Sequence, residues 1–311
     1  MTRGWVFALA IAALTTLCHT GSAQAQARVF VAALGSDSNP CTFSQPCRTF
    51  QHAHDVALPG AEIDVLDPAG YGSVTITKAI SIQGHGFSGI SVSSGGIGIT
   101  INAGATDKIN LRGLLLEGAG TGGNAILFNT GESLALQDSL VRNFSGDGLV
   151  FRPNQTAPAK LSVLGTHIVH NASIGLSIAN LSSGAVTAVI HGTAVDDNGA
   201  GVLVEGNGGT GPLSVAATDT IVSNNTSGAA YGFSVEAING HSVSTLVLTR
   251  ATVIGNATGL LATGANASLQ VTRSTVTENT VGYSGSIVSY GDNVISSNGS
   301  NTGTLMPGTK Q

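Results

Sequence analysis

The chain predicts an all-β solenoid, a coil of short strands stacked on itself. Two observations carry that expectation. Seven times between residues 140 and 298 it writes an aliphatic residue, two variable residues and an asparagine. The copies are Leu140–Asn143, Ile168–Asn171, Val195–Asn198, Ile221–Asn224, Val253–Asn256, Val276–Asn279 and Ile295–Asn298. Their asparagines lie 19 to 32 residues apart, a period that belongs to repeat architectures in which one unit is one turn of chain. Composition is the second observation. Glycine makes up 43 of 311 residues without the three-residue period of collagen, and Asn, Ser and Thr are abundant, as in a chain that turns every few residues.

The first 27 residues read as an export signal. Arg3 supplies a positive start, Trp5–Leu17 is an uncharged apolar run, and Ala23-Gln24-Ala25 and Ala25-Gln26-Ala27 offer small-x-small cleavage sites. The run is short of the roughly 20 residues that span a bilayer, and Cys18 falls in the discarded segment. No later run reaches spanning length. The expectation is a bacterial protein, secreted or periplasmic, with no membrane insertion once the signal is removed. Without Arg3 the chain has 11 Lys and Arg against 17 Asp and Glu, and only 9% of the whole sequence is charged. That balance argues against nucleic acid and anionic membranes as partners.

Residues 28–60 read as an N-terminal cap. A strand over 28–33 leads into a loop that carries Cys41 and Cys47. In an oxidising compartment a close pair closes a small loop, so a disulfide is expected, with two free thiols as the alternative. The spacing of Phe50, Ala53 and Ala57 predicts a short helix over Arg48–Ala57, ended by Pro59-Gly60. The nearby His52 and His54 fall on this helix, and no metal site is expected. Strands at 62–66, 72–77 and 79–83 open the solenoid, which fills 61–311 with about ten coils.

Aligned on the asparagines, the residue three before reads Leu140, Ile168, Val195, Ile221, Val253, Val276, Ile295, a core column. A second core column follows a glycine in six units: Leu149, Leu176, Val202, Phe233, Leu260, Tyr283. A third strand precedes four of them, at Leu161–Val163, Leu213–Val215, Leu246–Leu248 and Leu269–Val271. Three strands per coil predict a triangular section, with coils at the ~4.8 Å strand spacing. The asparagines are expected to take the left-handed backbone of a sharp corner and to bond from coil to coil through their amides.

Two segments, Cys47-Arg-Thr-Phe-Gln-His-Ala53 and Gly60 to Gly84, resemble the cap and first coils of the pectin-lyase-like right-handed parallel β-helix proteins. The repeats resemble that superfamily's coil repeat, and together they cover nearly all of 45–300. The resemblance implies a single right-handed parallel β-helix with a short capping helix. It also implies contact with extracellular or cell-wall polysaccharide, as a lyase or a glycoside hydrolase. A non-catalytic, adhesin-like surface or structural solenoid is the alternative.

Glycosidases need paired carboxylates, and lyases need a basic group beside a carboxylate cluster that often holds Ca²⁺. The column before the asparagines reads Arg142, His170, Asp197, Ser223, Gly255, Glu278, Ser297. Arg142, His170 and Asp197, with Asp196 beside them, form the candidate catalytic cluster; a solvated corner of alternating charge is the competing reading. The motifs that flank adjacent aspartates in polygalacturonase-like enzymes are missing here. Six before the asparagines stand Gln137, Gly165, Gly192, Thr218, Arg250, Arg273 and Asp292, where Arg250 and Arg273 would hold an acidic sugar. No motif indicates Ca²⁺ or any other cofactor. Phe30, Phe128, Phe151, Phe233 and Tyr283 are expected to face inward, and Tyr71 and Tyr290 to be the surface aromatics.

Overall fold

The structure, a computed structural model, describes residues 26–227 and 230–309. The export-signal reading falls on residues outside this range, apart from its last two. All strand pairs between coils are parallel, and among the described residues Phe50–Val56 is the one helix. Strands wind into a solenoid of about 8 turns, fewer than the ten expected. Each coil has three faces. In one coil these are Ala159–Leu164 (face one), His167–Val169 (face two) and Ile174–Ala179 (face three). Face three stacks as a nine-stranded parallel sheet, and faces one and two join into a sheet of 20 strands.

Alternation explains the faces. Val186–His191 reads buried, exposed, buried, exposed, buried, exposed, the period-2 pattern of a half-buried strand. The post-glycine column sits in register as read: Leu149, Leu176, Val202, Phe233, Leu260 and Tyr283 oppose one another in turn. Phe128 and Phe151 stack at 4.3 Å inside the same face. The third strands all point inward, although Leu213 pairs with Val186 and Val215 with Ala188, a two-residue offset that preserves the pleat.

The asparagine column needs correction at two coils. Val141, not Leu140, opposes Ile168, and Val222, not Ile221, opposes Val195. Val141 and Val222 are fully buried, whereas Ile221 is 49% exposed. The ladder accordingly runs Asn171, Asn198, Asn225, Asn256, Asn279, Asn298, with Phe144 in the slot above Asn171. Phe144 N–H donates to Asn171 Oδ1 (3.1 Å), and each asparagine's backbone N–H donates to Oδ1 of the next, from Asn171 to Asn198 (3.0 Å) down to Asn279 to Asn298 (3.0 Å). Asn225 Nδ2 also donates to Ser223 O (2.8 Å) and Asn256 Oδ1 (2.9 Å).

These asparagines do not turn the corner themselves. The left-handed residue is the one before: Asn143, His170, Asp197, Asn224, Gly255, Glu278 and Ser297, all at φ of 51–69°. The corner between faces one and two follows the same rule. Asp138, Gly165, Gly192, Asp219, Arg250 and Arg273 are left-handed, and the next residue is a buried hydroxyl in most coils. Ser139, Thr166, Thr193, Thr220 and Ser274 donate to the carbonyl two residues back, at 2.7–3.1 Å. A corner needs a φ > 0 residue pointing out, then a short polar side chain that satisfies buried backbone.

The cap covers the start of the core. Thr49 caps the helix, its Oγ1 accepting from His52 N–H at 3.2 Å, and Asp37 accepts from Thr49 Oγ1 at 2.9 Å. Cys41 and Cys47 are joined by the expected disulfide. Two aromatics are placed differently from the reading. Tyr71 is fully buried against Phe50, rings 5.2 Å apart, with its hydroxyl donating to Asp67 (2.6 Å). Phe30 is half-buried and faces outward against Phe43; its neighbours Val29 and Val31 take the core side.

The register makes two predictions measurable by urea denaturation. Asn225→Ala, which orphans the buried Asn198 N–H, costs on the order of 3 kcal/mol, while Asn224→Gly stays within about 0.5 kcal/mol because the position is already left-handed. Val222→Ala costs about 2 kcal/mol and Ile221→Thr less than about 0.5 kcal/mol; equal costs within either pair would refute the register.

Candidate functional site

The corner between faces two and three borders a shallow groove of about 620 Å³, lined among others by Asn143, Phe144, His170, Asp197, Gly199, Thr226 and Ser227. Its floor is the ladder, including Asn171 and Asn198. The left-handed backbone at His170 and Asp197 aims both side chains out of the stack. They meet, His170 Nε2 lying 3.2 Å from Asp197 Oδ2, and are 56% and 60% exposed.

Arg142 does not join them. It lies on face two, one residue before the corner, opposite Val169, and Asp196 follows below Val169. The true corner residue in its coil is Asn143. Arg142 Nε donates to Glu117 Oε2 (2.7 Å), and Asn143 Nδ2 and Ala119 N–H donate to Glu117 Oε1 (2.9 Å each). Partial burial pushes the Glu117 carboxyl up, but the bonds from Asn143, Ala119 and Arg142 outweigh it and hold the group below its ordinary value. Asp196 Oδ1 is occupied as well, accepting from Ser223 Oγ (2.6 Å) and Asn224 Nδ2 (2.9 Å). Of the four residues of the candidate cluster, two line the groove and two are tied down on the neighbouring face. The sequence reading missed Glu117; the register shift hid it, because a correct column pairs Arg142 with Glu117 directly.

Arg250 and Arg273 stand on adjacent coils at the other corner, as read. Asp219, not Thr218, precedes them in the column. It takes the Arg250 guanidinium with both oxygens, at 2.6 Å each, and His191 Nδ1 lies 3.5 Å away. The bonds from Arg250 hold the exposed Asp219 carboxyl below its ordinary value. Asp292 accepts from the Arg273 N–H (3.1 Å) and from Thr272 Oγ1. Tyr290 is half-buried, its hydroxyl donating to Gln270 (3.0 Å). Cys41 and Cys47 are bonded to each other and offer no thiolate to a metal. No helix among the described residues is long and apolar enough to cross a membrane.

No family model matches the chain, and no curated protein sequence does. Two solved structures resemble it. The mannuronan C-5 epimerase AlgE4 A-module of Azotobacter vinelandii shares 13% identity over 80% of this chain and 90% of its own, with a TM-score of 0.39. Pectate lyase Pel9A shares 15% identity over 91% of this chain and 78% of its own, with a TM-score of 0.61. At that identity the likeness speaks of architecture alone, and it agrees with the coil-by-coil register: the chain has the right-handed parallel β-helix, pectin-lyase-like fold.

Proposed function

We propose that the protein is exported and contacts an extracellular or cell-wall polysaccharide along the groove beside the asparagine ladder. The observation that carries this reading is the groove itself. It offers the hydroxyls of Thr226 and Ser227 and the His170–Asp197 pair beside the parallel stack, the chemistry that hydrogen-bonds sugar hydroxyls. The fold, shared with a pectate lyase, supports a polysaccharide partner. The apolar run Trp5–Leu17, the Ala23–Ala27 cleavage pattern and the Cys41–Cys47 disulfide support export.

Binding fits this groove better than cleavage. Glycosidases need two carboxylates across the scissile bond, and Asp197 is the only carboxylate among the described lining residues. Elimination needs a base and a cation that neutralises the uronate; His170 would serve as the base, but the described lining residues include no Arg or Lys. Arg142 stays with Glu117, and Arg250 would have to exchange Asp219 for a sugar carboxylate. The reading needs no cofactor. A spacer role is favoured by one observation. His170 and Asp197 occupy corner positions that must point outward, so geometry alone accounts for polar residues there.

Affinity electrophoresis of the mature chain through gels of polygalacturonate, alginate and neutral glucans separates these readings. Retardation by one polymer is expected, with a His170→Ala, Asp197→Ala double variant binding at least about tenfold more weakly, or ~1.4 kcal/mol. Retention of full affinity by the double variant moves the contact elsewhere on the stack, and no retardation by any polymer supports the spacer. New reducing ends or unsaturated products would restore the catalytic reading.

A further inference from the structure

We infer that the N-terminal cap is a pH-sensitive latch, in which the neutral His54 imidazole stands in for a strand carbonyl at the open edge of face three. Val74–Ile76 is the first strand of the nine-stranded sheet and, among the described residues, pairs on one side only, with Ile99–Asn102. Val74 N–H points to that partner, donating to Gly98 O at 3.0 Å. The alternate N–H groups, Thr75 and Thr77, therefore point to the opposite edge, where no described strand lies. The helix Phe50–Val56 supplies their acceptors: Thr75 N–H donates to Gln51 Oε1 (2.8 Å) and Thr77 N–H to His54 Nε2 (3.2 Å).

Asp55 sets both acceptors. Its Oδ1 accepts from Gln51 Nε2 (2.9 Å) and lies 3.2 Å from His54 Nδ1. An imidazole that accepts at Nε2 carries its proton on Nδ1, and Asp55 stabilises that tautomer. A second proton would put N–H on both nitrogens. Nε2–H would then face Thr77 N–H, donor against donor, with a charge on a side chain only 3% exposed.

The surroundings favour the neutral ring. Burial pushes the His54 pKa down, Asp55 opposes this, and Lys78 reinforces it. Lys78 is fixed on the neighbouring turn, its Nζ donating to Ala57 O at 2.7 Å. The strands packed against the helix carry Arg28, Glu62 and Asp64, which pair among themselves on the outer face. On the helix, His52 acts on Asp37. A histidine whose folded pKa lies below its unfolded value of 6.5 stabilises the folded state fully above that pH and loses this contribution as pH falls. Opening the latch uncovers Phe50, Tyr71 and a bare strand edge, which another chain could extend. This inference is independent of the polysaccharide reading.

Amide hydrogen exchange on the mature chain tests it, with protection factors corrected for intrinsic rate and Thr75, held by the non-titrating Gln51, as reference. Thr77 protection is expected to fall at least about tenfold from pH 7.5 to pH 5 while Thr75 falls less. In His54→Gln, whose amide oxygen accepts without titrating, Thr77 should change by less than about threefold. Unchanged Thr77 protection in the native chain, or an equal loss in His54→Gln, would overturn the latch. Should that variant not fold, ring ¹⁵N shifts of His54 in the native chain decide: an Nε2–H tautomer, or titration at or above 6.5, overturns it as well.

Discussion

The structure depends on one constraint: every buried backbone N–H at a corner must find an acceptor while the chain turns through about a third of a circle. Both tight corners solve it in two residues. A left-handed residue makes the bend with its side chain outside, and the residue after it places a short polar group inside. Between faces one and two that group is in most coils a Ser or Thr hydroxyl, which donates to its own strand and in some coils also bonds the neighbouring one. Between faces two and three it is an asparagine, which serves the next coil as well. An amide carries its donor and its acceptor on separate atoms, so it links every coil of the ladder, where the hydroxyls link only some. The ladder thereby ties successive coils to a common register, and the aliphatic columns pack without slipping.

The same rule fixes what a surface residue at a corner can be. Left-handed backbone disfavours β-branched side chains and sends the side chain into solvent, which selects Gly, Asn, Asp and other polar residues. Arg250, Arg273, Asp219, Glu278, His170 and Asp197 all occupy such positions. Charge at the corners is therefore a product of the fold before it is a sign of chemistry. What marks the groove out is the coincidence of a paired His and Asp with a concave stretch of surface. Arg250 and Asp219 form a tighter pair that satisfies itself.

How far the sequence could be read follows from this grammar. The solenoid, the cap helix, the disulfide and the post-glycine core column were legible because each rests on one strong local signal. The asparagine column was legible in five of seven coils. At Ile221-Val-Ser-Asn224-Asn225 two asparagines compete, and at Leu140-Val-Arg-Asn143-Phe144 the ladder slot is filled by Phe144. In both places an aliphatic residue stands three before the wrong asparagine by coincidence of a Leu-Val or Ile-Val pair. The neighbouring corner holds the correction. Gly165 and Gly192 align with Asp138 and Asp219, not with Gln137 and Thr218, and the buried hydroxyl that follows each sets the phase. A one-residue slip exchanges inside for outside, so it moved Arg142 into a cluster where it does not belong and hid Glu117. Tyr71 was misplaced for a different reason. Its immediate neighbours are glycines, and the cap residue that packs on it, Phe50, lies 21 residues earlier in sequence.

The first coil has no coil above it, so its face-three strand lacks the acceptors that every later strand receives. The chain meets that need with side chains on a helix: an amide oxygen from Gln51 and an imidazole nitrogen from His54, both held by Asp55. Chemically this repeats the interior solution, in which asparagine oxygens receive backbone N–H groups. The difference lies in the acceptor. A glutamine or asparagine oxygen accepts at any physiological pH, whereas an imidazole accepts only when neutral. A histidine at this edge makes the hydrogen bonding of the helix-covered strand depend on pH. The interior ladder, built of amides, has no such dependence.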